Sequence, residues 1–279
     1  MKFVTDCLRA EDGEWVVSTY KYEESGRTGE IQKDGGSGRV SAPTKGTFDL
    51  SSLGGRVVGS NSDGVCIYTS ELVPHSYFRV GLSYKHAVCG GVLVSGSDGG
   101  GYWKIDLEKS VSERFQLTCR KEPCIYDVWS VYVNDRYIYT GCDSGTVTVT
   151  DKRSTDHTEL RFQGGVTSIG EYNGEIEVGT YEGHYARLRN NCIDTEQRLT
   201  GIVWRVVTVT IASVVYYVVA QSYDGIGVYN QALAHLATVP TDDLVYAIQV
   251  LGAEKDTCIR GYNYYTGSLL EFNLFDLVS

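Results

Sequence analysis

The sequence predicts an all-β chain, a single seven-bladed β-propeller over residues 1–279, and three observations lead there. A strand–turn–strand unit recurs along the whole length at a period of about 40 residues, the spacing of four short strands per blade. Within each unit the apolar residues alternate at period two, which excludes a helical solenoid. Glycine (32) and tyrosine (21) are abundant and proline (4) is scarce, as many strands joined by glycine turns require. A strand-only unit of this size cannot bury both faces alone, so neighbours must stack and the ring must close.

The first copy is marked by Trp15-Val16-Val17-Ser18-Thr19-Tyr20, followed after a polar insertion by Gly29-Glu30-Ile31. Residues 34–46 (DGGSGRVSAPTKG) are rich in glycine and serine and read as a flexible inter-blade loop. Val57-Val58-Gly59-Ser60-Asn61-Ser62-Asp63-Gly64 and Leu93-Val94-Ser95-Gly96-Ser97-Asp98-Gly99 mark the second and third copies. Four clear copies follow from residues 128, 166, 203 and 245, with turn glycines Gly145, Gly183, Gly225 and Gly267 spaced by 38, 42 and 42 residues. The longest apolar stretch, residues 206–220, includes Thr208, Thr210 and Ser213 and falls short of the ~20 residues that span a bilayer. It reads as two strands and a tight turn. The blades are expected at roughly 1–40, 41–80, 81–120, 121–157, 158–196, 197–238 and 239–279.

The 25 Lys and Arg against 35 Asp and Glu give a net charge of −10, which excludes a generic nucleic-acid binder. The opening MKFVTDCLRAEDGEW has no apolar run of signal-peptide length and carries acids, so a cytoplasmic monomer without membrane attachment is expected. Eight cysteines stand singly without a C-x-x-C pair, and reduced, mostly buried thiols are expected. His86 and Cys89 have one ligand-like spacing, but tetrahedral zinc needs four donors and no second pair is near; neither metal nor cofactor is expected. No G-x-S-x-G occurs, which removes the usual α/β-hydrolase nucleophile elbow.

The fourth copy resembles a WD repeat: Tyr139-Thr140-Gly141-Cys142-Asp143-Ser144-Gly145 closes on Thr150-Asp151-Lys152-Arg153, with Thr150 where tryptophan is usual. Taken in order, several segments are similar to one WD-repeat family, the diphthine methyl ester hydrolases of the diphthamide pathway. They are Ser18-Thr19-Tyr20 with Arg27-Thr28-Gly29, Trp129, Gly165-Val166-Thr167-Ser168-Ile169 and Thr180-Tyr181-Glu182-Gly183-His184. Gly201-Ile202-Val203-Trp204-Arg205 and Asp242-Asp243-Leu244-Val245-Tyr246 complete the set. The likeness covers essentially the whole chain, with Tyr223 and Gly267 at two turns where that family usually has histidine. It implies hydrolysis of the methyl ester on a modified histidine of translation elongation factor 2, the partner, leaving a free carboxylate.

By the same resemblance, inner-strand starts and the turns between second and third strands meet at one face around the channel. Trp129, Trp204, Arg205 and Tyr246 then approach its mouth from the inner strands, and Asp143, Tyr181, Glu182 and Asp224 from the turns. Arg205 is the candidate donor to an ester oxyanion, or else a strut between blades. His184 is the candidate base, or else a histidine tying strands together. The substrate's trimethylammonium calls for aromatic faces and carboxylates, for which Trp129, Trp204, Tyr246, Tyr181, Tyr20 and Asp143 are candidates, with Tyr223, Tyr264 and Tyr265 at other turns. Two other readings stand beside this one. A non-catalytic scaffold would bind a peptide on the same face, and a ubiquitin-ligase subunit would use a D-x-R box such as Asp151-Lys152-Arg153.

Overall fold

Each copy of the repeat folds into one antiparallel sheet with its strands in chain order, so the first strand of every copy lies innermost. In the computed structural model, which describes residues 3–24, 26–35, 38–119, 122–123, 125–154, 156–252 and 256–278, seven such sheets form a seven-bladed propeller. The inner strands are Phe3–Arg9, Thr47–Leu53, Ser83–Cys89, Val128–Val133, Val166–Tyr172, Arg205–Ile211 and Val245–Leu251. Each packs against the inner strand of the next blade, and the last packs against the first.

The turn glycines adopt a left-handed backbone, with φ of 78°, 85°, 83° and 67° at Gly145, Gly183, Gly225 and Gly267. Residues 206–220 form the expected hairpin, as Arg205–Ile211 and Val214–Ala220. Its two-residue turn puts Ala212 (φ 47°) and Ser213 (φ 66°) in left-handed conformations, the geometry that matches the twist of the flanking strands.

Two expectations are corrected. Residues 34–46 are not a loop, because Gly26–Gly35 pairs with Gly38–Thr44 as the outer hairpin of blade 1, with positions 36 and 37 outside the described residues. An outermost strand has almost no buried face, so its composition resembles a loop; Ala42 alone is buried, opposite Ile31. Among the described residues, blade 7 has three strands and not four, ending at Leu269–Asn273. The chain then turns into a short helix, Leu274–Val278, whose fully buried Leu274 joins the apolar packing between blades 6 and 7.

Burial is organised by seam. Six apolar clusters fill the six seams from blades 1/2 to blades 6/7. The 6/7 seam alone buries ten such residues, among them Ile226, Ile248, Ile259 and Leu274. Each buried Val, Leu or Ile contributes about 1.5–3 kcal/mol against exposure. Between blades 7 and 1 no comparable cluster forms among the described residues. That seam relies on Phe3 against the rings of Tyr264 and Tyr265, Arg260 over Trp15 at 4.3 Å, and the Val4 amide donating to the Tyr264 carbonyl at 2.9 Å.

The six cysteines with described side chains, Cys7, Cys66, Cys89, Cys142, Cys192 and Cys258, are free thiols. Cys119 and Cys124 lie outside the residues whose side chains are described. No helix among the described residues is long and apolar enough to cross a membrane.

Candidate functional site: the mouth of the central channel

A β-bulge recurs at the same place in six of the seven inner strands, where one extra residue is inserted opposite the second strand. The inserted residues are Thr5, Phe48, Trp129, Thr167 and Tyr246, and in blade 3 Tyr84 and Lys85 together oppose Gly96. A bulge bends the strand and re-aims its side chain. Here every one of these residues lines a single cavity of 370 Å³, completed by Asp127, Trp204, Arg205 and Tyr264. The blade 6 strand Arg205–Ile211 pairs without a register shift, and Trp204 stands just before it with its amide donating to the Ala220 carbonyl at 3.0 Å.

The aromatic wall is built as two arcs. In one, Trp204 lies 4.4 Å from Tyr246 between ring centroids, and Tyr246 lies 5.1 Å from Tyr264 in an edge contact. In the other, Tyr20 backs Phe48 at 5.2 Å and Phe48 meets Tyr84 at 5.9 Å. Tyr84 then donates its hydroxyl hydrogen to Asp127 at 2.9 Å, beside Trp129. Asp127 also accepts from the Gly99 amide at 3.0 Å, which fixes this half-buried carboxylate at the rim. The gaps between the arcs hold Thr5 and Thr167, whose hydroxyls donate to the Thr47 and Val203 carbonyls of the following blade.

One residue deeper, Asp6 and Asp49 carry carboxylates from blades 1 and 2. The Arg205 guanidinium reaches both, engaging the two Asp6 oxygens and, at 3.2 Å, Asp49 Oδ1. Asp6 is fully buried and accepts from the Cys7 and Leu50 amides at 2.8 Å each. Burial raises its carboxyl above the ordinary range, and Arg205 opposes that rise. Asp49 accepts from the His86 amide at 3.3 Å. The His86 ring sits between Ser60 (2.8 Å) and Ser51 (2.6 Å), and burial lowers its pKa to about 4, so it is neutral.

Lys85 opens onto the cavity beside this cluster, and its amine has no hydrogen-bond or ion-pair partner among the described residues. Burial lowers its pKa, the Arg205 charge lowers it further, and Asp49 and Asp6 pull the other way. Burial holds Tyr246 up at about 12 and raises Tyr84 and Tyr264 as well, so all three phenols stay protonated at neutral pH.

Of the residues singled out from sequence, Trp129, Trp204, Arg205 and Tyr246 meet in the cavity. Tyr20 stands behind Phe48. Asp143 is exposed in the blade 4 turn, against Gly165 and near Asp127, whose charge joins burial in raising its carboxyl. Tyr181 is 48% exposed on the surrounding face. His184 does not line the cavity. Its Nδ1 pairs with Glu196 at 2.9 Å across to the outer strand of blade 5, away from the residues that line the cavity. Sequence reasoning missed Phe48, Tyr84, Lys85 and Asp127. The available signal was the small or β-branched residue before each bulge, as in Thr47-Phe48, Ser83-Tyr84, Val128-Trp129 and Val245-Tyr246.

Neither a protein family nor a curated protein matches the chain. Among solved structures it is similar to the dihydro-heme d1 dehydrogenase NirN in complex with DHE, with a TM-score of 0.68 and 14% identity over 99% of this chain and 62% of that one. It is also similar to BBS1N in complex with ARL6DN, with a TM-score of 0.71 and 14% identity over 98% of this chain and 92% of that one. The chain thus spans less than two thirds of the dehydrogenase. At such identities the likeness is one of fold, and it places this chain among the β-propellers.

Proposed function

We propose that the channel mouth hydrolyses the methyl ester of methylated diphthine on translation elongation factor 2. The observation that carries this reading is the convergence of the most family-like segments on one aromatic-walled cavity, where Trp204 and Tyr246 stand 4.4 Å apart. A quaternary ammonium is held by aromatic faces within ~6 Å and by nearby carboxylate charge. The two arcs and Asp127 supply both, and a net charge of −10 favours approach of a cationic group.

The polarity of the cavity orients such a substrate. Asp127 draws the trimethylammonium to the rim, and the Arg205 guanidinium deeper in the cavity disfavours a second cation there, so the ester points inward. A cavity of 370 Å³ takes one modified side chain, and the rest of the partner rests on the face around it, where Tyr181 and Tyr223 are 48% and 68% exposed. The test is incubation of the purified protein with methyl-esterified elongation factor 2, read by mass spectrometry for loss of one CH₂. Tight binding without that loss would favour the scaffold reading instead.

A further inference from the structure

We propose that Lys85 is the general base of the channel mouth, taking a proton from the water that attacks the ester. The inference rests on the methylesterase reading and supplies the group that reading lacks.

The elimination comes from geometry. Among the described residues, the cavity lining contains no serine, cysteine or histidine. The Thr5 and Thr167 hydroxyls each have one hydrogen, already given to a carbonyl of the next blade. Arg205 stays charged and is held by Asp6 and Asp49, so it orients charge without accepting a proton. The three phenols are protonated donors. Asp127 already accepts from Tyr84 and the Gly99 amide at the rim, where the cation is drawn. What remains is the Lys85 amine, which the blade 3 bulge brings to the cavity and leaves without a partner.

The groups around it explain how it serves. Arg205 from blade 6 disfavours a second positive charge, Asp6 and Asp49 from blades 1 and 2 are already engaged by Arg205, and the adjacent His86 is neutral. Burial is the larger cause and Arg205 the second, and together they hold the amine below the ordinary lysine range, so it gives up its proton more readily than an exposed lysine. In the reaction, the water oxygen bonds to the ester carbonyl carbon as its proton passes to Lys85 Nζ. The tetrahedral oxyanion, favoured by the new ammonium and by Arg205, collapses with cleavage of the C–OCH₃ bond. Lys85 returns the proton to the departing methoxide, giving methanol, and the product acid ionises to the carboxylate.

The experiment compares Lys85→Met, which keeps the stem, and Lys85→Arg, which keeps a charge but cannot deprotonate. Both should fold, bind methylated elongation factor 2 as before and lose roughly 10²–10⁴-fold in kcat. The unsubstituted protein should gain activity with pH through an inflection below the ordinary lysine value. Independently of any substrate, acetic anhydride at neutral pH should label Lys85 faster than the exposed lysines, as read by peptide mass spectrometry. Turnover retained in either variant overturns the base role and leaves the ester reading standing. No turnover by the unsubstituted protein overturns both. Labelling of Lys85 only at the pH of ordinary lysines overturns the readily deprotonated amine whatever the turnover.

Discussion

Replacing Arg205 by alanine tests how the floor of the channel is built. The guanidinium joins blade 6 to blades 1 and 2 through Asp6 and Asp49, reaching over the inner end of blade 7. Removing one partner of a buried ion pair costs about 3–5 kcal/mol, because the other charge is left uncompensated. Asp6 keeps its two amide donors and Asp49 keeps that of His86, so the lower end, about 3 kcal/mol, is expected. At about 2–4 °C per kcal/mol for a chain of this order, melting falls by roughly 6–12 °C. The pH dependence carries a sign. Burial already raises the Asp6 carboxyl, and loss of Arg205 raises it further, so the folded variant holds a proton that the unfolded chain has released. Stability of the variant therefore falls as pH rises above the ordinary carboxylate range, and its deficit is largest at neutral pH and shrinks toward about pH 4. Urea unfolding of both proteins across that range measures it. A variant within about 0.5 kcal/mol of the parent at neutral pH, or a deficit that grows with acid, would refute the strut.

The 7/1 seam should open first: native-state hydrogen exchange is expected to show lower protection in Phe3–Arg9 and Val245–Leu251 than in Val128–Val133 and Val166–Tyr172, and equal protection would contradict the weak seam. Gly179 lies opposite the blade 5 bulge, where an added Cβ would sit 2.4 Å from Val203 Cγ1 and 2.8 Å from its carbonyl oxygen. Gly179→Ala should cost about 1–3 kcal/mol in denaturant melts by overpacking. Trp204→Ala and Tyr246→Ala should each weaken binding of a trimethylammonium peptide by about 0.5–2 kcal/mol in calorimetry while leaving a neutral analogue unaffected. The unfolding temperature should be the same with and without dithiothreitol, in keeping with the six free thiols among the described residues; a drop under reductant would reveal a disulfide.

The blades were legible in the sequence because their cause is local. Alternation, a turn glycine such as Gly183 and a fixed period each lie within one window of chain, and each copy repeats the message. The inner-strand openings at Val128-Trp129, Trp204-Arg205 and Val245-Tyr246 were legible for the same reason. The floor of the channel was not. Arg205 meets Asp6 and Asp49 from 199 and 156 residues away, and only closure of the ring brings them together. Lys85 was hidden because alternation assigns it one face and the bulge gives it another. The outer hairpin of blade 1 was misread because an exposed strand carries loop-like residues; only its ladder to Gly26–Gly35 reveals it.

The account depends most on the chemistry at the mouth. The direct measurement is mass spectrometry of methyl-esterified elongation factor 2 after incubation with the protein and with its Tyr246→Ala and Lys85→Met variants, alongside released methanol. The account predicts loss of one CH₂ and one methanol per modified histidine with the unsubstituted protein, slower loss with Tyr246→Ala and almost none with Lys85→Met. A modified histidine that keeps its methyl group in the presence of the folded, unsubstituted protein would contradict it.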